Sequence, residues 1–192
     1  MHMPDAKIKK DLKVLIVAAE AAPYAKVGGF SQVIAYLSRE MLPMGTDVRV
    51  FIPKFGSIDQ EEYKMDMFYK GLMVPTGSDH NPKLECNVKM RKGDDGVITY
   101  FLENQEYYEK RANVYGYSDD PTRWALLSRG VLEFIKTKKF VPDIIHCHDW
   151  HTGIVSNYMK TIYKKDPVIS KITSVFTIHN MAFQGYQIDH RN

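Results

Sequence analysis

The sequence predicts an α/β fold built on a mostly parallel sheet, with helices on both faces and an antiparallel hairpin excursion. Three observations carry this. Residues 12–53 read strand, Gly-Gly turn, helix, glycine, strand, the order of a parallel βαβ unit. The tetrapeptide G-D-D-G at 93–96 lies between two strand-like runs, as in a hairpin. From residue 119 onward, helical and strand periodicities alternate again.

Taken in order, L-K-V-L-I-V-A at 12–18 is a short β-branched apolar run bounded by charge and by A-A-P, a strand buried on both faces. Phe30, Val33, Ile34, Leu37 and Met41 recur at three- and four-residue spacing, which predicts a helix over 30–44 lying on the sheet. Gly45 stops it, and D-V-R-V-F-I-P at 47–53 is the next strand, ended by Pro53. Residues 54–110 read as an antiparallel excursion at one sheet edge, with strands at 83–92 and 97–102. The turn-rich Y-G-Y-S-D-D-P-T-R-W leads to a helix capped near Asp119 or Asp120, with Pro121 in its first turn. Trp124, Leu127, Val131 and Phe134 or Ile135 form its buried stripe. A strand at 141–148, a helix from His151 to Lys165 and a strand at 174–180 complete the pattern. No repeat, heptad array or low-complexity tract is visible. The chain divides into a polar N-terminal tail at 1–11 and one domain at 12–192.

Composition narrows the function classes. Hydrophobic content of 44% and charged content of 26% are those of a globular protein, and no apolar window approaches the length of a membrane span. The first eleven residues have neither a signal sequence nor an anchor, which predicts a cytoplasmic protein without a membrane partner. A net charge of +3 and scattered Lys-Lys pairs read as solvated faces, so no nucleic-acid partner is expected. Cys86 and Cys147 lie far apart and read as free thiols.

Three stretches carry chemistry. A-K-V-G-G-F-S-Q-V at 25–33 fits neither G-x-G-x-x-G nor the P-loop pattern. Gly28 and Gly29 nevertheless stand where a strand hands over to a helix, the crevice in which open α/β sheets bind ligands. Helix-start amides favour an anion, and Lys26 could add a full positive charge. The alternative is a tight turn beside a surface lysine. In H-C-H-D-W-H-T-G at 146–153, strand alternation puts His146 and His148 on one face, so the cluster converges on a metal only if the strand ends within it. Asp149 and His151 then emerge at a strand's carboxyl end as cleft-lining groups, or Asp149 serves as a helix N-cap. In S-V-F-T-I-H-N-M-A-F-Q-G at 174–185, a third strand delivers His179 and Asn180 to the same end of the sheet.

The blocks E-A-A-P-Y-A-K-V-G-G-F-S-Q-V, P-D-I-I-H-C-H-D-W-H-T-G and V-F-T-I-H-N-M-A-F-Q-G, in that order, resemble the signature blocks of bacterial glycogen synthases and plant starch synthases. Y-G-Y-S-D-D-P-T-R-W-A-L-L-S-R is similar to the tyrosine-rich turn of that family. The resemblance implies one Rossmann-like half of a GT-B fold, the N-terminal, acceptor-side domain. It further implies a retaining transfer of glucose from ADP-glucose to the non-reducing end of an α-1,4-glucan or maltooligosaccharide, with no metal or other cofactor. The C-terminal donor domain is expected as the missing partner, and the chain alone is expected to be inactive. On this resemblance His179, Lys26 and Asp149 are the catalytic residues. Glu20, Gly28, Gly29, Asn180, His151 and Tyr115 bind substrate. Gln32 stands where the family usually has aspartate, keeping hydrogen-bonding capacity without the charge. Two other readings remain open at this point: a stand-alone glucan-binding module using Tyr115, Tyr117, Trp124 and Trp150, and a related retaining transferase with a different donor.

Overall fold

The computed structural model describes residues 11–185. The tail at 1–10 and the last seven residues, Tyr186 to Asn192, lie outside the described residues. Seven strands form one sheet: β1 (Lys13–Val17), β2 (Asp47–Pro53), β3 (Asp66–Pro75), β4 (Lys83–Lys92), β5 (Ile98–Glu103), β6 (Ile144–His148) and β7 (Thr173–Thr177). Their order across the sheet is β3-β4-β5-β2-β1-β6-β7. β5, β2, β1, β6 and β7 pair in parallel, and only the β3–β4 and β4–β5 pairs are antiparallel.

The antiparallel excursion read over 54–110 lies at the sheet edge as expected, but β5 does not belong to it alone. β5 runs parallel to β2 from Arg49–Ile98 to Pro53–Leu102, and so belongs to the parallel body. The hairpin of β4 and β5 holds, but alternation within a strand does not say which way its second neighbour runs. β3, at the edge, was not resolved by the sequence pattern; its register shifts near Tyr69 interrupt regular alternation.

Three helices cover the sheet: α1 (Gly29–Met41), α2 (Asp120–Lys136) and α3 (Ile154–Lys160). Ala35 and Ser38 of α1 face Val50 and Thr99 around a small cavity of about 200 Å³. On the opposite face, Phe134 of α2 packs against Phe51 and Tyr100, ring centroids 5.4 and 4.9 Å away. Neighbouring strand residues point to opposite faces, so the helices sandwich the sheet. The stripe proposed for α2 is buried in full. That of α1 is not: Ile34 is buried but Val33 is exposed, and Ser31 and Ser38 complete the buried side. Serine fits there because each hydroxyl donates to a carbonyl of its own helix, Ser31 to Gly28 and Ser38 to Ile34, both at 2.8 Å. The helix predicted to run through Met44 ends at Met41, followed by a 3₁₀ turn at Leu42–Met44 and Gly45 in left-handed backbone (φ 82). The helix predicted from His151 to Lys165 is a 3₁₀ turn at Trp150–Thr152 followed by the short α3.

Among the described residues no helix is long and apolar enough to cross a membrane. Both cysteines are free and buried; burial pushes each thiol up to about 12, so neither is a thiolate at neutral pH.

Candidate functional site

From β1 the chain steps one way, through α1 to β2, and later the other way, from β6 through α3 to β7. β1 and β6 are neighbours, with Val17 opposite Cys147. The crevice beyond their carboxyl ends is a topological switch point. A cleft of about 630 Å³ opens there, lined by Glu20, Gly28, Gly29, Phe30, Val33, Tyr115, Asp149, Trp150, His151, His179, Asn180 and Phe183. The structure thus brings together every sequence-predicted site residue except Lys26, which is exposed outside the cleft wall.

The first wall is the β1–α1 loop. Glu20 is buried, and its Oε2 accepts the Val27 amide at 2.6 Å. Burial raises its carboxyl above the ordinary range, opposed by hydrogen bonds from Val27, the Tyr115 hydroxyl and Gly28. Burial and the neighbouring Glu20 charge also push the Tyr115 hydroxyl far up, keeping it a neutral donor. Glu20 therefore ties the glycine loop to the tyrosine turn across the cleft floor. Gly28, the residue before α1, has φ −140, and a Cβ at Gly28 or Gly29 would meet nothing within 4 Å. The turn itself does not demand glycine at either position. What glycine provides is open space at a helix start facing the cleft, where the Gly29 amide stands beside a Gly28 amide that Glu20 already engages.

The tyrosine turn is held from beneath by Arg123, which is fully buried. Its guanidinium bonds Asp120 Oδ1 at 2.5 Å, the Val114 carbonyl at 2.9 Å and the Tyr107 carbonyl at 2.8 Å. Asp120 also accepts the Gly116 amide at 2.8 Å. Neither Asp119 nor Asp120 caps α2 with its side chain; Asp119 pairs with Arg111 instead. Tyr117 lies beneath the guanidiniums of Arg111 and Arg123, away from the cleft, and Trp124 is buried behind His151. Of the four aromatics considered for a glucan platform, only Tyr115 and Trp150 reach the cleft.

The second wall comes from β6 and β7. Asp149 stands at the N-cap position of the Trp150–Thr152 turn, but its side chain makes no cap bond. Its backbone has positive φ (φ 57, ψ 176), its amide donates to the Thr177 carbonyl at 2.9 Å, and its Oδ1 accepts the His179 amide at 2.6 Å. The carboxylate supplies the next rung of the β6–β7 ladder after the backbone has turned away. His151 is buried against Tyr115, Trp124 and Trp150, and burial lowers it to about 3, so the ring is neutral. Its Nδ1 has no partner among the described residues. Asn180 Oδ1 accepts the amides of Ala182 and Phe183, shaping the loop that brings Phe183 to the rim. Gly185 (φ 75) lies so close to the Trp150 indole that a Cβ would stand 2.3 Å from Cε3.

His146, His148 and His179 form a packed row. Rings 146 and 148 are 4.0 Å apart between centroids, and rings 148 and 179 are 5.1 Å apart and nearly parallel. His146 Nε2 meets Thr177 Oγ1 at 2.7 Å, and His148 Nδ1 meets His179 Nε2 at 2.8 Å. Burial, reinforced by His146 and His179, lowers His148 to about 3; burial and then His179 also lower His146. Among the described residues no group of three or more His, Cys, Asp or Glu side chains is arranged to hold a metal ion.

Phe30, Val33 and Phe183 line the cleft without a role read from the sequence, and His148 lies buried behind it. Phe30 and Val33 belong to the apolar stripe of α1, yet they flank the glycines on the cleft side, the Phe30 and His179 ring centroids lying 5.0 Å apart. Gln32, which stands where the family usually has aspartate, does not line the cleft.

A mostly parallel α/β sheet with a loop-built cleft at its switch point defines a Rossmann-like ligand-binding domain, and comparison with known proteins gives the family. Residues 13–191 match the starch synthase catalytic domain, and the chain belongs to that family. It is 41% identical over 174 residues to a glycogen synthase of Desulforamulus reducens and 42% identical over 174 residues to one of Geobacillus thermodenitrificans. Each match covers 91% of this chain and 35% of the relative, so the chain spans about a third of the length of the relatives it matches. Among solved structures, the catalytic domain of starch synthase IV from Arabidopsis thaliana, bound to ADP and acarbose, superposes with a TM-score of 0.80 at 28% identity. That match covers 88% of this chain and 34% of the other. The sheet is thus of the GT-B glycosyltransferase kind.

Proposed function

We propose that this chain forms the acceptor-side part of a retaining glucan synthase. The whole protein would transfer glucose from ADP-glucose to the non-reducing end of an α-1,4-glucan, in the cytoplasm and without a metal. The observation that carries this reading is that Glu20, Gly28, Gly29, Tyr115, Asp149, His151, His179 and Asn180, from four separate stretches, line one cleft. The naming of ADP and acarbose with the Arabidopsis structure supports a nucleotide and an oligosaccharide as ligands.

On this reading the Gly29 amide at the start of α1 meets the leaving diphosphate, and Gly28 leaves room for its approach. The diphosphate's charge grows as the glycosidic bond breaks, so this donor stabilises the transition state more than the ground state. Lys26, exposed beside the glycines, would come to bear from the cleft mouth when a second domain closes over it. His179 orients the transferred glucose, and Asp149 fixes His179 through its backbone. Tyr115, Trp150 and Phe183 offer ring faces to the acceptor glucan.

Calorimetry on the 192-residue chain with maltooligosaccharides, ADP-glucose and UDP-glucose tests the proposal. Saturable maltooligosaccharide binding, weakened at least tenfold in Trp150→Ala, is expected, with no glucosyl transfer by the chain alone. A folded chain that binds none of the three ligands would overturn the reading. Robust transfer would overturn the division of labour between two domains.

A further inference from the structure

The contact between His148 Nδ1 and His179 Nε2 at 2.8 Å holds one proton, and it can sit on either ring. The two arrangements are not equivalent. If His179 donates, His148 must carry its own proton on Nε2. That atom is buried, has no hydrogen-bond partner among the described residues, and belongs to a ring only 1% exposed. Its neighbours are the faces of His146, at 4.0 Å between centroids, and Phe30, at 6.3 Å. If His148 donates, the orphan atom is a ring lone pair instead. An orphaned buried N–H is the rarer and costlier of the two.

We propose that His148 is a positioning residue: it carries its proton on Nδ1, donates to Nε2 of His179, and so fixes His179 as the Nδ1–H tautomer. His179 is exposed in the cleft wall, and its Nδ1 bonds to no described residue. With the tautomer fixed, that nitrogen is a donor only. The cleft ligand must then offer an acceptor oxygen at this point, and one that offers only a proton is refused. Burial keeps His148 neutral at physiological pH, so it does not become a cation that donates from both nitrogens. The identity of the ligand rests on the proposed function; the proton arrangement does not.

Free neutral histidine prefers the opposite, Nε2–H, tautomer, so the arrangement has a distinct spectroscopic signature. Ring ¹⁵N shifts of the ligand-free chain at neutral pH, read from long-range ¹H–¹⁵N correlations and assigned with single histidine variants, report each tautomer separately. His179 is expected as Nδ1–H in the wild type and as mainly Nε2–H in His148→Phe, which keeps a ring and removes the donor. A wild-type His179 in the Nε2–H form overturns the inference, as does a folded His148→Phe in which His179 remains Nδ1–H. Should that variant fail to fold, the wild-type spectrum alone decides, since the preference of the free side chain is the opposite one. Because no ligand is present, a negative result leaves the glucan synthase reading intact, and a failure of that reading leaves the tautomer result standing.

Discussion

Asp149 holds the site at its tightest point. A non-glycine residue at φ 57 and ψ 176 carries backbone strain of about 1–3 kcal/mol, because that corner of backbone space is open to glycine and little else. It is held there by its amide on Thr177 and by its carboxylate on the His179 amide. Asp149→Asn keeps the shape and the acceptor but loses the charge, which is expected to weaken this tie by about 1 kcal/mol. The His179 amide should then exchange with deuterium roughly fivefold faster than in the wild type; an unchanged rate would mean that the carboxylate does not carry the tie. His148 and His151 set a pH dependence. Both lie near 3 in the folded chain against an ordinary 6.5, so between these values the unfolded chain binds more protons. Their contribution to stability is complete above about pH 6.5 and is lost as pH falls toward 3, at about 1.4 kcal/mol per unit for each ring. Glu20, raised by burial, acts in the opposite direction, but as one group against three, since His146 is lowered as well. The urea midpoint is therefore expected to drop between pH 6.5 and 4.5, and a flat profile would count against neutral buried rings. Asp149, His151, His179 and Asn180 were legible in the sequence because each stands just past the carboxyl end of a strand, whereas Glu20 and Tyr115 came only from the family resemblance. Phe30 and Val33 were not legible, because an apolar residue in a helical stripe looks the same whether it faces a sheet or a cleft.

At the scale of elements, the join between the tyrosine turn and α2 depends on one buried guanidinium. Arg123→Met would fill much of the same volume while leaving Asp120 without its ion partner and the Val114 and Tyr107 carbonyls without their donor. Breaking a buried pair on one side costs about 3–5 kcal/mol. The expected result is a fall in chemical stability of that order, together with loss of the Tyr115 contact to Glu20; a loss below 1 kcal/mol would show that the turn holds itself. Element boundaries were legible where chemistry punctuates them. β2 begins at Asp47 and ends at Pro53 as the sequence predicts, and Pro121 marks the first turn of α2. They were not legible around Trp150, where Asp149 gives up the cap to hold His179 and the chain takes a 3₁₀ turn before α3. Nor could the parallel partnership of β5 be read locally, since it follows from β3 and β4 carrying the chain out to the sheet edge and back to β2.

Across the whole molecule, the parallel sheet was visible in the alternation of elements, whereas the cleft is a property of strand order. β1 and β6 are adjacent although β2 to β5 intervene in the chain, and no local pattern announces that. The two walls therefore have different histories during folding. The tie between Asp149 and His179 spans 30 residues inside one βαβ unit, a separation of the kind that closes early. The bond between Glu20 and Tyr115 must wait until β2 to β5, which lie between them in the chain, have paired. On the proposed function, a refolding chain is expected to regain its far-ultraviolet signal, and protection of the His179 amide, before it regains the capacity to bind a maltooligosaccharide. Stopped-flow circular dichroism alongside Trp150 fluorescence with ligand present measures the interval, and simultaneous recovery would refute it. The switch point that gives the cleft its place thus also gives it a date: the chain becomes a receptor only after it has become a fold.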